Sequence, residues 1–203
     1  MAKLELKPIN KAVMAFTIRG TSPLITHNWD EKAKEMMRQK QQGAKKSKDR
    51  DKRDPQRECM AAAYRTADGK FGIPGMALKN AIITAAHKDI GIEKTLVRKA
   101  LFLRSGDSRH VLPMDCGEPE MREDMVRVGV GSADLRYRPM WREWSVAVQF
   151  DVDTDLLQAP DIIALVDRAG FGVGICEWRP EKNGEFGRFE IDKTMPFTVE
   201  AMT

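Results

Sequence analysis

From Trp144 to Val152 the chain reads Trp-Ser-Val-Ala-Val-Gln-Phe-Asp-Val, large apolar residues alternating with small or polar ones without a break. Only an extended strand puts residues i and i+2 on one side, so this segment is a β-strand with one apolar face. Such a face needs neighbouring strands and a cover, and the rest of the chain supplies both. Residues 12–25 begin with short alternation and β-branched residues and then reach Gly20 and Pro23, which stop a strand. Leu101–Arg104 and Val111–Met114 read as short strands around the turn Ser105–Arg109, Gly187–Ile191 as a closing strand, and Phe197–Glu200 as an edge strand. Met76, Leu78, Ala81, Ile82, Ala85 and Ala86 recur at helical spacing and predict a helix over Met76–Ile90, after a turn at Phe71–Gly75. Ile162, Ile163, Leu165 and Val166 predict a second over Pro160–Ala169, with Pro160 at its start and Gly170 beyond its end.

The order strand, helix, paired strands, helix, strand predicts an α+β fold. It is that of a ferredoxin-like (RRM-like) palm, an antiparallel sheet with two packing helices and one face free for a ligand. The length suits one domain, 1–203, with a basic insertion at 27–70, a second insertion between the middle strands at 105–143, and a glycine-rich loop at 170–188.

Several function classes are set aside by composition. The first residues alternate charge with apolar side chains instead of building a signal peptide, and no apolar run is long enough to cross a bilayer. A cytoplasmic protein without a membrane partner is therefore expected. Cys59, Cys116 and Cys176 are odd in number and widely spaced, which predicts reduced thiols rather than a disulfide framework or a zinc site. Asp151, Asp153 and Asp155 lack the glycine and distal glutamate of a calcium loop, and no phosphate-binding loop of a nucleotide enzyme is present. No metal and no cofactor is expected.

Charged residues make up 32% of the chain, above the roughly 25% of an average soluble protein. Their placement says more than the net +4. Glu31–Arg57 holds eleven Lys or Arg against five acids, leaving −2 for the remainder. Lys45, Lys46, Lys48 and Arg50 in this stretch would neutralise phosphates, although a mixed charge run is as often merely solvated. A more focused signal is Arg136, Arg138 and Arg142 interleaved with Tyr137, Trp141 and Trp144. Guanidinium groups clamp phosphates and rings stack on bases, so Arg136, Tyr137, Arg138, Trp141 and Arg142 are expected to bind nucleic acid, while Trp144 leads into the strand core. In the glycine-rich loop, Gly172 and Gly174 would let backbone amides approach phosphates beside Trp178, Arg179, Lys182 and Arg188.

Two segments carry a resemblance. Ile73-Pro-Gly-Met-Ala-Leu-Lys-Asn is similar to the Ile-Pro-Gly-x-x-Leu-Lys-Gly signature that opens the first helix in the RAMP superfamily (repeat-associated mysterious proteins), with Met76, Ala77 and Asn80 departing from it. Gly170-Phe-Gly-Val-Gly through Gly187-Arg-Phe resembles that superfamily's glycine-rich loop, here interrupted by the polar stretch Glu177–Glu185. That superfamily supplies backbone and processing subunits of CRISPR ribonucleoproteins. The resemblance implies a ferredoxin-like palm, contacts to an RNA backbone by the first-helix signature, Lys79 included, and by the glycine-rich loop, and side-by-side polymerisation through the insertions.

The expected function is that of a backbone protein coating single-stranded RNA, largely independent of sequence, as a homo-oligomer in a helical array, with or without other ribonucleoprotein subunits. Alternatives left open are a phage or mobile-element protein coating single-stranded DNA, a superfamily ribonuclease, and a protein-interaction mimic of an effector subunit. The ribonuclease would rest on His27 or Asp30 in the loop after the first strand. Neither belongs to a recognisable catalytic constellation, so no enzyme is expected.

Overall fold

The computed structural model describes residues 7–29, 38, 41–43, 53–127, 131 and 133–202. Its centre is an antiparallel pair, β1 (Lys11–Gly20) and β9 (Trp144–Asp153), in register from Lys11 opposite Asp153 to Arg19 opposite Ser145. Alternation puts Ala12, Met14, Phe16 and Ile18 of β1 on one face with Trp144, Val146, Val148, Phe150 and Val152 of β9, and all are buried. Complete burial of a side chain such as Phe150 contributes about 1.5–3 kcal/mol.

Around this pair the main sheet has the order β10-β1-β9-β6-β4-β3. β10 (Phe189–Ile191) and β11 (Thr198–Ala201) share the outer edge of β1. β5 (Leu101–Arg104) and β6 (Val111–Cys116) share the opposite edge of β9 and so occupy one strand position, broken at 105–110. Asp107 organises that break, its carboxylate accepting from the amides of Ala67, Arg109 and Val111. β4 (Phe71–Pro74) pairs β6, and β3 (Tyr64–Arg65) pairs β4. Phe71–Pro74, expected as a turn, is thus a strand: Gly72 and Ile73 are buried against β6, and the ladder outweighs the local glycine and proline signals.

Helices α2 (Gly75–Ile90) and α4 (Ala159–Arg168) cover the apolar face. α2 buries Leu78, Ala81, Ile82, Ala85 and Ala86 as its spacing predicts and Ile83 in addition, whereas Met76, also expected on this face, is 54% exposed. α4 buries Ile162, Leu165 and Val166 and begins with a capping box between Gln158 and Asp161. A short helix not expected from sequence, α3 (Lys94–Ala100), hides only Val97 and Ala100 and leads into β5. The architecture is a mixed α+β fold with an antiparallel sheet. Among the described residues no helix is long and apolar enough to cross a membrane, and all three cysteines are free.

Beyond Gly20 the Trp144 indole N–H donates to the Ser22 carbonyl at 3.0 Å, and the chain turns away into a second sheet of order β2-β8-β7. β2 is Leu24–Ile25, β7 Glu120–Arg127 and β8 Ala133–Trp141. Only the stretch from β7 to Trp141 therefore projects as an insertion, because Val111–Cys116, inside the expected 105–143 segment, belongs to the main sheet. Helix α1 (Pro55–Ala61), capped by Asp54, lies on β8.

Candidate nucleic-acid groove

Three clefts are linked by shared lining residues between α2, the second sheet and the glycine-rich loop. The first, about 240 Å³, lies between the Asn80 and Thr84 side of α2, His27, and residues 173–181 of the glycine-rich loop. Ala77, Asn80, Ala81 and Thr84 repeat at i, i+3, i+4 and i+7, so one face of α2 presents small residues to it. The second, about 270 Å³, shares His27 and is lined by Trp29, Arg53, Glu58, Asp134, Arg136 and Tyr137. The third, about 390 Å³, shares Cys176, Glu177 and Arg179 with the first and adds Arg138, Trp178 and Lys182. Together they form a groove with guanidinium groups and aromatic rings along its length.

His27 stands at the junction. Its Nε2 is 3.0 Å from Arg136 Nη1. A guanidinium can only donate, so Nε2 accepts and the ring proton sits on Nδ1. That Nδ1 is buried and has no partner. Burial lowers the His27 pKa, and the charges of Arg138 and Arg136 push it the same way against the pull of Glu177. The ring is therefore a neutral N–H donor at physiological pH. In the unfolded chain it titrates near 6.5, so this contribution to stability is complete above that pH and is lost as the pH falls below it. The melting temperature should drop more steeply from neutral to mildly acidic pH in the native sequence than in His27→Asn; parallel slopes would show that His27 does not contribute.

The expected binding residues separate into two groups. Arg136, Tyr137, Trp178 and Lys182 line the groove with exposed or half-buried side chains. Arg179 also lines it, but is held by its bonds to the Cys176 carbonyl at 2.9 Å and to Glu181 at 3.0 Å. Burial pushes the Cys176 thiol beneath it up to about 12, which leaves that sulfur a protonated, unreactive thiol.

Others are corrected by their surroundings. Trp141 is 2% exposed and meets Phe71 edge-on at 5.3 Å, so it anchors the core and has no face for a base. Arg138 is 4% exposed and is paired to Asp124 at 3.3 Å and Glu177 at 3.6 Å, which makes it a tie between β8 and the glycine-rich loop rather than a phosphate clamp. Arg142 forks onto Glu120 at 2.7 and 2.9 Å outside the groove. Lys79 points to the far side of α2, its ammonium 4.8 Å from the Phe102 ring, where burial and Arg98 lower its pKa. Arg188 stacks 4.9 Å over the exposed Phe171 in a separate cleft with Lys193.

The glycines also serve a different purpose from the one expected. The Gly174 amide donates to the Ala169 carbonyl at 2.8 Å, closing a π-turn over Ala169–Val173, and is not aimed at a ligand. A Cβ on Gly170 would stand 1.9 Å from the Phe189 carbonyl, so this glycine lets the loop press on β10. Gly172 alone of the expected pair is exposed and uncrowded. The open sheet face, expected to receive a ligand, carries the ion pairs Arg19–Glu190 and Arg104–Asp151, which neutralise its arginines. Lys45, Lys46, Lys48, Arg50 and Asp30 lie outside the described residues.

Groove residues that sequence reasoning missed are Trp29, Arg53, Glu58 and Asp134. An exposed tryptophan two residues from His27 was the available signal, whereas Arg53 and Asp134 meet only through the packing of α1 on β8. The sequence matches no family model and no curated protein.

Proposed function

We propose that the chain binds single-stranded nucleic acid, RNA in the first place, along this groove, largely through the phosphate backbone, and assembles with further copies along the strand. The observation that carries the reading is the grouping of Arg136, Arg179 and Lys182 with Trp29, Tyr137 and Trp178 in clefts linked through His27 and Arg179. Phosphate neutralisation supplies affinity, and stacking on a ring adds about 1–3 kcal/mol per base with little regard to sequence.

The fold supports the same reading. The strand positions β10, β1, β9 and β5/β6, with α2 and α4 on one face, follow the order of a split βαβ palm of ferredoxin type. Residues of the two segments that resemble the RAMP superfamily line one cleft, Ala77 and Asn80 of α2 with Val173 and Gly174 of the glycine-rich loop. We read the chain as a binding and assembly relative of that superfamily, with the β7–β8 hairpin as its projecting insertion.

Fluorescence anisotropy of labelled single strands and duplexes of RNA and DNA, titrated at low and at physiological salt, tests this. Cooperative single-strand binding that survives physiological salt is expected, and Arg136→Gln with Lys182→Gln should lower the salt slope by about 1.4, near 0.7 per phosphate. Absence of binding at physiological salt would overturn the reading.

A further inference from the structure

The cleft that contains Trp29 and Tyr137 is lined by two carboxylates, Glu58 and Asp134, and two guanidinium groups, Arg53 and Arg136. It lies at an open strand edge. β8 pairs β7 along Ala133–Met140, but on its other side β2 covers only Met140 and Trp141. On that open side Arg53 Nη2 donates to the Leu135 carbonyl at 2.6 Å and the Thr26 amide to the Pro139 carbonyl at 3.4 Å. Strand alternation puts the N–H and C=O of Tyr137, midway between them, on the same edge.

The side chains around this edge are fixed by Arg53. It forks onto Glu58 at 2.8 and 2.7 Å, reaches Asp134 Oδ1 at 2.9 Å, and sits 5.8 Å from the centre of the Tyr137 ring. Asp134 Oδ2 is left 3.8 Å from Arg136 Nε, beyond hydrogen-bond distance. His27, whose Nε2 lies 3.0 Å from Arg136 Nη1, also lines the cleft. The cleft thus offers an acceptor at Asp134, a donor at Arg136, and two aromatic residues, one of them Trp29, which is 51% exposed.

We propose that this cleft is a nucleobase pocket that takes one guanine out of the bound strand. Among the bases, guanine alone combines adjacent N1–H and N2–H₂ donors, which match a carboxylate, with O6 and N7 acceptors, which match an arginine. Adenine would turn its unprotonated N1 toward the Asp134 carboxylate, and cytosine its unprotonated N3. The pocket rests on the single-strand reading above but adds a point of sequence preference to binding that is otherwise backbone-directed. Strands with guanines at suitable intervals would then set the register of the bound protein.

The test is competition anisotropy with oligouridine strands that carry one central guanine, inosine, adenine or cytosine, together with free guanosine and adenosine monophosphates. The native protein is expected to favour the guanine strand over the adenine strand about tenfold, with inosine, which lacks the N2 amino group, between them. Asp134→Asn should abolish that preference, bringing the guanine and adenine strands to equal affinity. Trp29→Ala, at an exposed position where folding is not at stake, should weaken the guanine strand toward the oligouridine level. Equal affinity for the guanine and adenine strands overturns the pocket while leaving the strand reading intact. A preference for guanosine monophosphate without binding of any strand supports the pocket and overturns the strand reading. If neither strands nor nucleotides bind, both fall.

Discussion

Arg138→Ala is expected to lower the free energy of unfolding by about 3–5 kcal/mol, the usual result of removing one partner from a buried ion pair. Asp124, 6% exposed, would keep the bond from Arg122 at 2.8 Å but lose the buried guanidinium that closes it from the other side. Glu177 would lose its tie to the second sheet. The unfavourable part is the stranded carboxylate, not a lost attraction between surface charges. Asp124→Leu combined with Arg138→Met should therefore be closer to the native stability than Arg138→Ala alone. Urea unfolding of the native chain, the single variant and the double variant measures both quantities. A loss below 1 kcal/mol for Arg138→Ala would mean that the guanidinium is dispensable to the fold and would return it to the set of phosphate-binding candidates.

That reassignment shows where sequence is informative and where it is not. Residues with large apolar side chains at period two or 3.6 were legible because burial depends on local spacing: β9, α2 and α4 all lie where their patterns predict. α3 and β3 were not, since each buries few residues and owes its conformation to what it packs on. The interleaved arginines and aromatics of 136–144 do not share one surface, and their neighbours separate them. Arg136 and Tyr137 reach the groove, Trp141 enters the core, and Arg142 lies beyond the strand end. Which arginine is free depends on acids distant in sequence, Asp124 and Glu177 for Arg138 and Glu120 for Arg142, and spacing alone does not contain that information. The carboxylates of the second cleft were hidden for the same reason, because Glu58 and Asp134 are brought together by Arg53, which lies 81 residues before Asp134.

The glycine-rich loop gives the second large effect. Gly187 has φ +67°, and a Cβ there would stand 2.0 Å from the Ile175 carbonyl, while its own amide donates to the Pro23 carbonyl at 2.8 Å and its carbonyl accepts from the Ile175 amide at 2.9 Å. Gly187→Ala meets the left-handed penalty of about 1–2 kcal/mol and, in addition, a collision with backbone that two hydrogen bonds hold in place. Thermal unfolding should show a loss of at least about 2 kcal/mol, and because Gly187 closes the loop that displays Trp178, Arg179 and Lys182, strand binding should weaken in parallel. Gly172→Ala supplies the contrast. Its nearest neighbour to an added Cβ is Asp89 Oδ2 at 4.0 Å, and its φ lies outside the left-handed region, so stability should hold or rise slightly. If these glycines serve packing, Gly187→Ala loses stability and binding together and Gly172→Ala loses neither. If Gly172→Ala keeps the fold but loses the strand, its amide approaches a phosphate, and the loop takes part in recognition as well as supporting it.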